Sequence, residues 1–198
     1  YAPWQEVQLL DGLADRVLDG SVAEVGVSNI GPKRLAWMHE RLAQRGVPLR
    51  SVQVQYSLLS PGDAKADALR QLCHERGIEV LAYSPLAFGV LTLSPEAERR
   101  PGTFLRRQLF NRLMPASRNL RTVVAAIAAT RNVSMAQVAL NWCRAQGTTP
   151  IPGVRTPEQA RDVAGALGWS LRPEEIEQLT EARGQCAVRT PSNPFQSA

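Results

Sequence analysis

Short apolar or alternating segments, each followed by a helical pattern, recur along this chain and restrict its fold more than any other feature. Three of them, Val22–Val27, Ser51–Tyr56 and Ile78–Tyr83, start about 28 residues apart. That length fits one strand, one helix and their turns, and consecutive units with right-handed crossovers form a parallel sheet. A fourth segment, Thr148–Ile151, comes later. The pattern predicts an α/β fold with four strands, in a single domain over residues 1–198.

Residues typical of helix N-caps and C-caps flank the segments between these strands. Gly20, Gly46 and Gly77 follow the first three helical patterns, and glycine readily adopts the left-handed C-cap conformation. Ser134 is a predicted N-cap, and Thr156–Gln159 (TPEQ) has the capping-box pattern. The predicted helices are Gln5–Asp19, a segment between Pro32 and Gly46, Pro61–Arg76, about Leu120–Thr130, Met135–Arg144, a segment from Thr156, and Pro173–Arg183.

The stretch 87–119 shows no clear pattern and is predicted to be a long loop after the third strand, a common feature of functional lids. A run of arginines begins in it: Arg99, Arg100, Arg106, Arg107, Arg112, Arg118 and Arg121. Only Phe104 and Phe110 lie between them, and no nucleic-acid-binding motif is visible. We therefore expect a cofactor-covering loop or a protein-docking surface there, and no binding to nucleic acid.

Composition excludes several classes of protein. The chain has 198 residues, of which 44% are hydrophobic and 21% charged, so one sizeable core is expected. Its three cysteines, Cys73, Cys143 and Cys186, are widely spaced without a CxxC pair, which argues for reduced thiols and against a metal site or a disulfide framework. The net charge of +5 suits an anionic cofactor as well as nucleic acid. No apolar run is long enough for a transmembrane segment.

Polar residues at the predicted strand ends distinguish between two α/β architectures. A doubly wound dinucleotide fold would normally carry GxGxxG after its first strand, and this motif is absent. A (β/α)8 barrel places its chemistry at the carboxyl ends of the strands. Here those ends carry Ser28 and Asn29, Gln53 and Gln55, Tyr83 and Ser84, and Gly153 and Arg155.

Four units and a terminal helix make about half of such a barrel, and the chain opens at Tyr1 rather than at a methionine. We therefore expect the C-terminal half of a (β/α)8 TIM barrel, with the N-terminal half absent.

Five sequence blocks carry a family resemblance. They are VGVSN (Val25–Asn29), QVQYSLL (Gln53–Leu59), GIEVLAYSPLAFGVLT (Gly77–Thr92), SMAQVALNWC (Ser134–Cys143) and PIPGVRTPEQA (Pro150–Ala160). In order and spacing they resemble the aldo-keto reductases, from Gln5 to about Leu179. The segments PGTFLRRQLF and GALGW and the tail NPFQS are most similar to plastid-type members of plants and green algae. This resemblance implies a chloroplast location; without it the expectation would be cytoplasmic.

The resemblance assigns the first strand-end residues to the nicotinamide of NADP(H). Ser28, Asn29 and Gln53 take the positions that hold the carboxamide, which offers both donors and an acceptor. The residues alone leave open that Ser28 and Asn29 only cap the next helix. Tyr83 resembles the aromatic residue that stacks on the nicotinamide ring, although a tyrosine at a strand end is more often part of the core or its rim.

The resemblance assigns later residues to the phosphates and the adenosine. Ser84, Leu86 and Gly89 resemble the stretch that surrounds the pyrophosphate, and the glycine would allow close approach of the backbone. Gly153 and Arg155 follow the last strand, where a guanidinium beside a helix N-terminus would bind the 2′-phosphate and favour NADP over NAD. Without this context, Arg155 would be a solvated surface residue. Two further positions match the adenosine contacts, Gln159 and Asp162, while Val163 replaces an asparagine often found in the family.

The family's chemistry implies a reductase that passes hydride from NADPH to a small-molecule carbonyl substrate, with Asp, Tyr, Lys and His as catalytic residues. These four come from the first half of the barrel, and the visible motifs provide no substitute, so no catalytic residue is assigned here. Two hypotheses follow. The chain is the cofactor-binding half of an NADP-dependent reductase, or it is a noncatalytic subunit of a larger, plastid assembly whose open sheet edge is covered by a protein partner.

Overall fold

The computed structural model describes residues 5–62, 64–97 and 103–191. Their elements are α1 (Glu6–Leu18), β1 (Val25–Ser28), α2 (Pro32–Gln44), β2 (Leu49–Gln55), α3 (Ala64–Arg76), β3 (Glu79–Tyr83), a 3-10 helix (Ala87–Thr92), α4 (Phe104–Ala116), α5 (Arg118–Arg131), α6 (Met135–Ala145), β4 (Thr149–Ile151), α7 (Pro157–Ala164) and α8 (Pro173–Gln185). The predicted α/β class and the predicted strands are confirmed.

The four strands form one parallel sheet in the order β1-β2-β3-β4, so strands consecutive in the chain are neighbours in space. β1 and β2 pair in parallel, and Ser28 stands opposite Gln53. Gly26 allows the two strands to approach closely here, because a Cβ at this position would collide with the side chain of Ser51 unless that side chain moved. The carboxyl ends of β1 and β2 consequently lie side by side.

Contacts divide the chain into two compact units, with the boundaries within β2 and β3. Unit one comprises the described residues of 5–54 and 62–81 and has its own apolar core, with Leu35 and Val52 fully buried. Ion pairs between α1 and the region of α2 include Arg41 with Asp11 at 2.6 Å and Arg45 with Asp15 at 2.6 Å. The single domain stays a prediction, since this division concerns only the density of internal contacts.

Unit two comprises the described residues of 55–61 and 82–191, with a core mainly from α4, α5, α6 and α8. Trp142 of α6 is almost fully buried and stacks on Tyr56 at a centroid distance of 5.5 Å. Ser134 accepts a hydrogen bond from the backbone N–H of Gln137 at 3.2 Å, which confirms the predicted cap of α6.

The prediction of an irregular loop over 87–119 is wrong for the part of this stretch that the structure describes. It contains the 3-10 helix, and α4 runs through its second half. Phe110, Leu113 and Met114 of α4 recur at helical spacing and are buried, so packing against the core stabilises this helix. The arginines between these residues make the helical spacing hard to recognise in the sequence. Arg99 and Arg100 lie outside the described residues, as does the tail NPFQS.

In the described part of the chain, no single helix is long and apolar enough to cross a membrane, although α5 and α6 together, bent by 101°, meet the same length and composition criteria.

Candidate functional site

In unit one, three predicted site residues meet at the ends of β1 and β2. The Ser28 hydroxyl donates a hydrogen bond to the backbone carbonyl of Gln53 at 3.2 Å, and the backbone N–H of Asn29 donates to the same carbonyl at 2.9 Å. Asn29 has a φ of 57°, in the left-handed region that asparagine tolerates better than most residues. The chain thus turns sharply at this strand end, where the residues predicted to bind the nicotinamide carboxamide lie.

The structure also shows which residue caps the helix that follows Ser28 and Asn29. The N-cap of α2 is Gly31, which makes no side-chain capping hydrogen bond. Pro32 occupies the first turn, where the missing N–H costs nothing. Neither Ser28 nor Asn29 is therefore the N-cap residue of α2.

In unit two, the chain leaves β3 through a turn with an unusual backbone. Ser84, Ala87 and Phe88 have φ values of 53°, 48° and 59°, and Gly89 has 93°. The turn is closed by two backbone hydrogen bonds, from Ala87 to Ser84 at 3.0 Å and from Gly89 to Leu86 at 2.9 Å. Each left-handed non-glycine residue costs roughly 1 to 2 kcal/mol. Strain of this kind concentrates at functional sites, where surrounding contacts maintain it.

Gly89 is required by its backbone angle rather than by crowding within the chain. A Cβ on Gly89 would meet only Nη2 of Arg106, at 4.0 Å. Its φ of 93° is nevertheless unfavourable for any residue with a side chain. The close approach of a phosphate to Gly89 stays a prediction.

The third group of predicted residues follows β4, which neighbours β3 in the sheet. Thr156 caps α7 by accepting from the backbone N–H of Gln159 at 3.3 Å, as its TPEQ sequence predicts. The Gln159 side chain accepts from the backbone N–H of Arg155 at 2.8 Å, one residue before the position a standard capping box would use. Arg155 is exposed and forms no ion pair with any residue that the structure describes. Gly153, two residues earlier, is also exposed.

Asp162 has a structural partner that sequence reasoning did not anticipate. The Gln137 side-chain amide donates to the backbone carbonyl of Asp162 at 2.9 Å and to its Oδ1 at 3.0 Å. These bonds tie α7 to α6. The predicted adenosine contact of Asp162 stays a prediction, since its carboxylate can accept further hydrogen bonds.

Two arginines that received no individual role in the sequence hold the segment after β3. Arg106 donates to the carbonyl of Phe88 at 2.7 Å and lies over the ring of Phe110, 5.5 Å from its centroid. Arg121 donates to the carbonyls of Leu93, Ser94 and Pro95. The run of arginines in the sequence indicates that this region is basic, but it does not show which of these arginines point inward.

The thiols of Cys73 and Cys143 are poor nucleophiles. Burial raises the pKa of Cys73 to about 11 and the pKa of Cys143 to about 12, so both stay protonated near neutral pH. Among the described ranges, no group of three or more His, Cys, Asp and Glu side chains could hold a metal ion.

A scan against protein-family models matches residues 3–183 to the aldo/keto reductase family. The chain belongs to this family, which confirms the resemblance predicted from its sequence blocks. It is therefore a member of an oxidoreductase family, with an α/β fold built on a four-stranded parallel sheet.

Curated relatives and solved structures agree with this assignment. The chain is 42% identical over 197 residues to a chloroplastic pyridoxal reductase of Arabidopsis thaliana, covering 100% of this chain and 53% of that protein. It is 31% identical over 179 residues to an L-glyceraldehyde 3-phosphate reductase of Escherichia coli O157:H7, covering 85% and 51% of the two proteins. A glycerol dehydrogenase of Gluconobacter oxydans has the same fold, with a TM-score of 0.75, 24% identity, and coverage of 92% of this chain and 55% of that one. The chain thus spans about half the length of the relatives it matches.

Proposed function

We propose that this chain is the cofactor-binding part of an NADPH-dependent carbonyl reductase. The observation that carries the proposal is Arg155, an exposed arginine without an ion-pair partner in the described chain, directly before the capped N-terminus of α7. The free N–H groups of a first helical turn and a guanidinium both favour phosphate. NADPH differs from NADH by one phosphate, so Arg155 and the N-terminus of α7 would select between the two cofactors.

In unit one, Ser28, Asn29 and Gln53 would recognise the carboxamide of the nicotinamide. Amide and hydroxyl groups satisfy both the donors and the acceptor of a primary amide without adding charge. The shared hydrogen bonds to the Gln53 carbonyl hold the two strand ends in register, which supports this role.

In unit two, the turn of Ser84, Leu86 and Gly89 would surround the pyrophosphate. Leu86 has a φ of −97° and Ala87 a φ of 48°, and a right-handed residue followed by a left-handed one forms the kind of backbone concavity that binds anions through N–H groups. Tyr83, half-buried at the end of β3, would stack on the nicotinamide ring. Gly153, Gln159 and Asp162 would line the adenosine end.

When bound, NADPH supplies the hydride that a carbonyl carbon accepts. The residues of this chain would hold and orient the cofactor, and the proton donor would belong to another part of the protein. Lys33 and Lys65, the lysines of this sequence, lie on α2 and α3 rather than at strand ends, so neither is placed to lower the pKa of a tyrosine there. The name of the Arabidopsis relative makes pyridoxal the first aldehyde to test.

The test of the cofactor proposal is Arg155→Ala, with the dissociation constants of NADPH and NADH measured in the full-length protein. We expect NADPH binding to weaken at least about tenfold and NADH binding to change little, since NADH lacks the 2′-phosphate. Arg161→Ala is the matched control, because Arg161 is equally exposed on α7 but pairs with Glu158 at 3.5 Å. Equal loss for both cofactors would contradict the role of Arg155.

A noncatalytic subunit is the second candidate. β4 is an outer strand of the sheet, and its Ile151 is 41% exposed, which leaves apolar surface for a covering partner. Wild-type protein that copurifies with another chain and binds neither NADPH nor NADH would favour this candidate.

A plastid location is proposed from the chloroplastic relative. A fluorescent fusion of the full-length protein that fails to enter plastids would contradict it.

A further inference from the structure

The guanidinium of Arg121 is enclosed by backbone carbonyls. The residue is 1% exposed, on the buried face of α5. Its Nε donates to the Ser117 hydroxyl at 3.3 Å, and Nη2 donates to the Met114 carbonyl at 2.9 Å. The other three hydrogen bonds run from Nη1 to the carbonyls of Leu93 and Ser94 and from Nη2 to that of Pro95.

These five hydrogen bonds equal the five N–H donors of a guanidinium. No ion pair to Arg121 occurs among the described residues, although Arg118 repels it and Glu96 attracts it electrostatically. The charge is thus balanced by oriented carbonyl dipoles. A lysine has the same charge but a single ammonium group, so it could not reach acceptors on both sides of this planar fork.

This carbonyl cage joins three pieces of unit two. Met114 contributes from the last turn of α4, Ser117 from the corner between α4 and α5, and Leu93–Pro95 from the segment that follows the 3-10 helix. Arg121 therefore fastens the end of that segment to the helix pair.

The segment held by Arg121, Leu93–Pro95, follows closely after the strained turn at the end of β3. Leu93 donates from its backbone N–H to Val90 at 3.3 Å, and the Thr92 hydroxyl donates to the Gly89 carbonyl at 2.9 Å. Arg106 holds the turn itself through the Phe88 carbonyl. Left-handed non-glycine residues persist only where surrounding contacts force them, and these hydrogen bonds are such contacts.

We propose that Arg121 is a positioning residue that holds the turn Ser84–Gly89 in its anion-binding conformation. The proposal rests on the function proposed above, because the turn is assigned there to the cofactor pyrophosphate. Arg121 does not touch the cofactor in this proposal and acts through the backbone of residues 89–95.

The experiment compares wild type, Arg121→Lys and Arg121→Gln in the full-length protein, with Arg118→Gln as control. Arg118 lies one turn earlier on α5 and is exposed, and because it repels Arg121 electrostatically, its removal should not weaken the hydrogen bonds of Arg121. Amide hydrogen exchange of residues 84–95 is measured without ligand. Affinities are then measured for NADPH and for adenosine 2′-phosphate, which lacks the pyrophosphate.

We expect exchange in residues 84–95 to accelerate, and NADPH binding to weaken about tenfold, in both Arg121 variants, with adenosine 2′-phosphate binding and the Arg118 control unchanged within about twofold. Unchanged exchange would overturn the proposal, as would equal loss of affinity for both ligands, since that reports a general structural defect. If Arg121→Gln does not fold, Arg121→Lys decides alone. Wild type that binds no NADPH would overturn the proposed function, while the exchange rates would still decide whether Arg121 holds the turn.

Discussion

Individual charged residues in unit two are held by geometry that their sequence neighbours do not reveal. Glu175 of α8 is 4% exposed and accepts from Nε of Arg131 at 2.9 Å and from Nη2 at 2.5 Å. It also accepts from the backbone N–H of Arg172 at 2.8 Å, which caps α8. The hydrogen bond from Arg131 is the main cause that lowers the pKa of Glu175 to about 2 from 4.5.

This pKa predicts an acid-sensitive contribution to stability. Because the pKa is lower in the folded state, the contribution is complete above pH 4.5 and disappears as the pH falls towards 2. This contribution to the free energy of unfolding is at most about 3 kcal/mol. Glu175→Gln should lose up to that amount at pH 7 and show a flatter pH dependence below pH 5, measured by urea denaturation. Glu158→Gln, with a side chain 75% exposed, is the control and should change little. An unaltered pH dependence in Glu175→Gln would contradict the assignment.

Helix ends show how well local sequence predicts elements. The Gly46 and Ser134 signals gave helix limits within a few residues, because a cap depends on atoms three or four positions away. Helix α4 escaped prediction because its stability comes from burial of Phe110 and Leu113 rather than from caps. Its N-cap residue, Thr103, makes no side-chain capping bond.

This contrast between caps gives a prediction for α6. Ser134→Ala should destabilise the protein by about 1 kcal/mol, because it removes the acceptor for the Gln137 N–H. Thr103→Ala, at an N-cap without such a bond, should cost less than about 0.5 kcal/mol. The difference is measured by urea denaturation of the two variants. Equal effects would mean that the Ser134 hydrogen bond contributes nothing.

At the scale of the whole molecule, the chain provides four strands of one sheet, and its relatives are about twice as long. The residues proposed to bind the cofactor lie at or just after the strand ends, whereas the proposal places the proton donor outside this chain. Tyr56 is buried and stacked on Trp142, and Tyr83 has the proposed stacking role.

We therefore expect the 198-residue chain alone to give no NADPH oxidation with pyridoxal. Absorbance of NADPH is followed, with the full-length Arabidopsis pyridoxal reductase as positive control. Turnover by the 198-residue chain that is lost in Tyr83→Phe would contradict this expectation, since it would make Tyr83 the proton donor.

The amino-acid sequence by itself determined the order of strands and helices, the polar residues at the strand ends and the family, because these depend on short periodicities, on caps and on motifs of adjacent residues. Only the tertiary structure decided that α4 is a helix, that Gln159 bonds the Arg155 backbone, that Gln137 engages Asp162 and that Arg121 is enclosed by carbonyls. The last two contacts join residues more than 20 positions apart, where chain folding, and not local preference, selects the partner. The left-handed turn after β3 belongs with them, since three of its four residues with positive φ are not glycine, and one of these, Phe88, is held by Arg106 of α4.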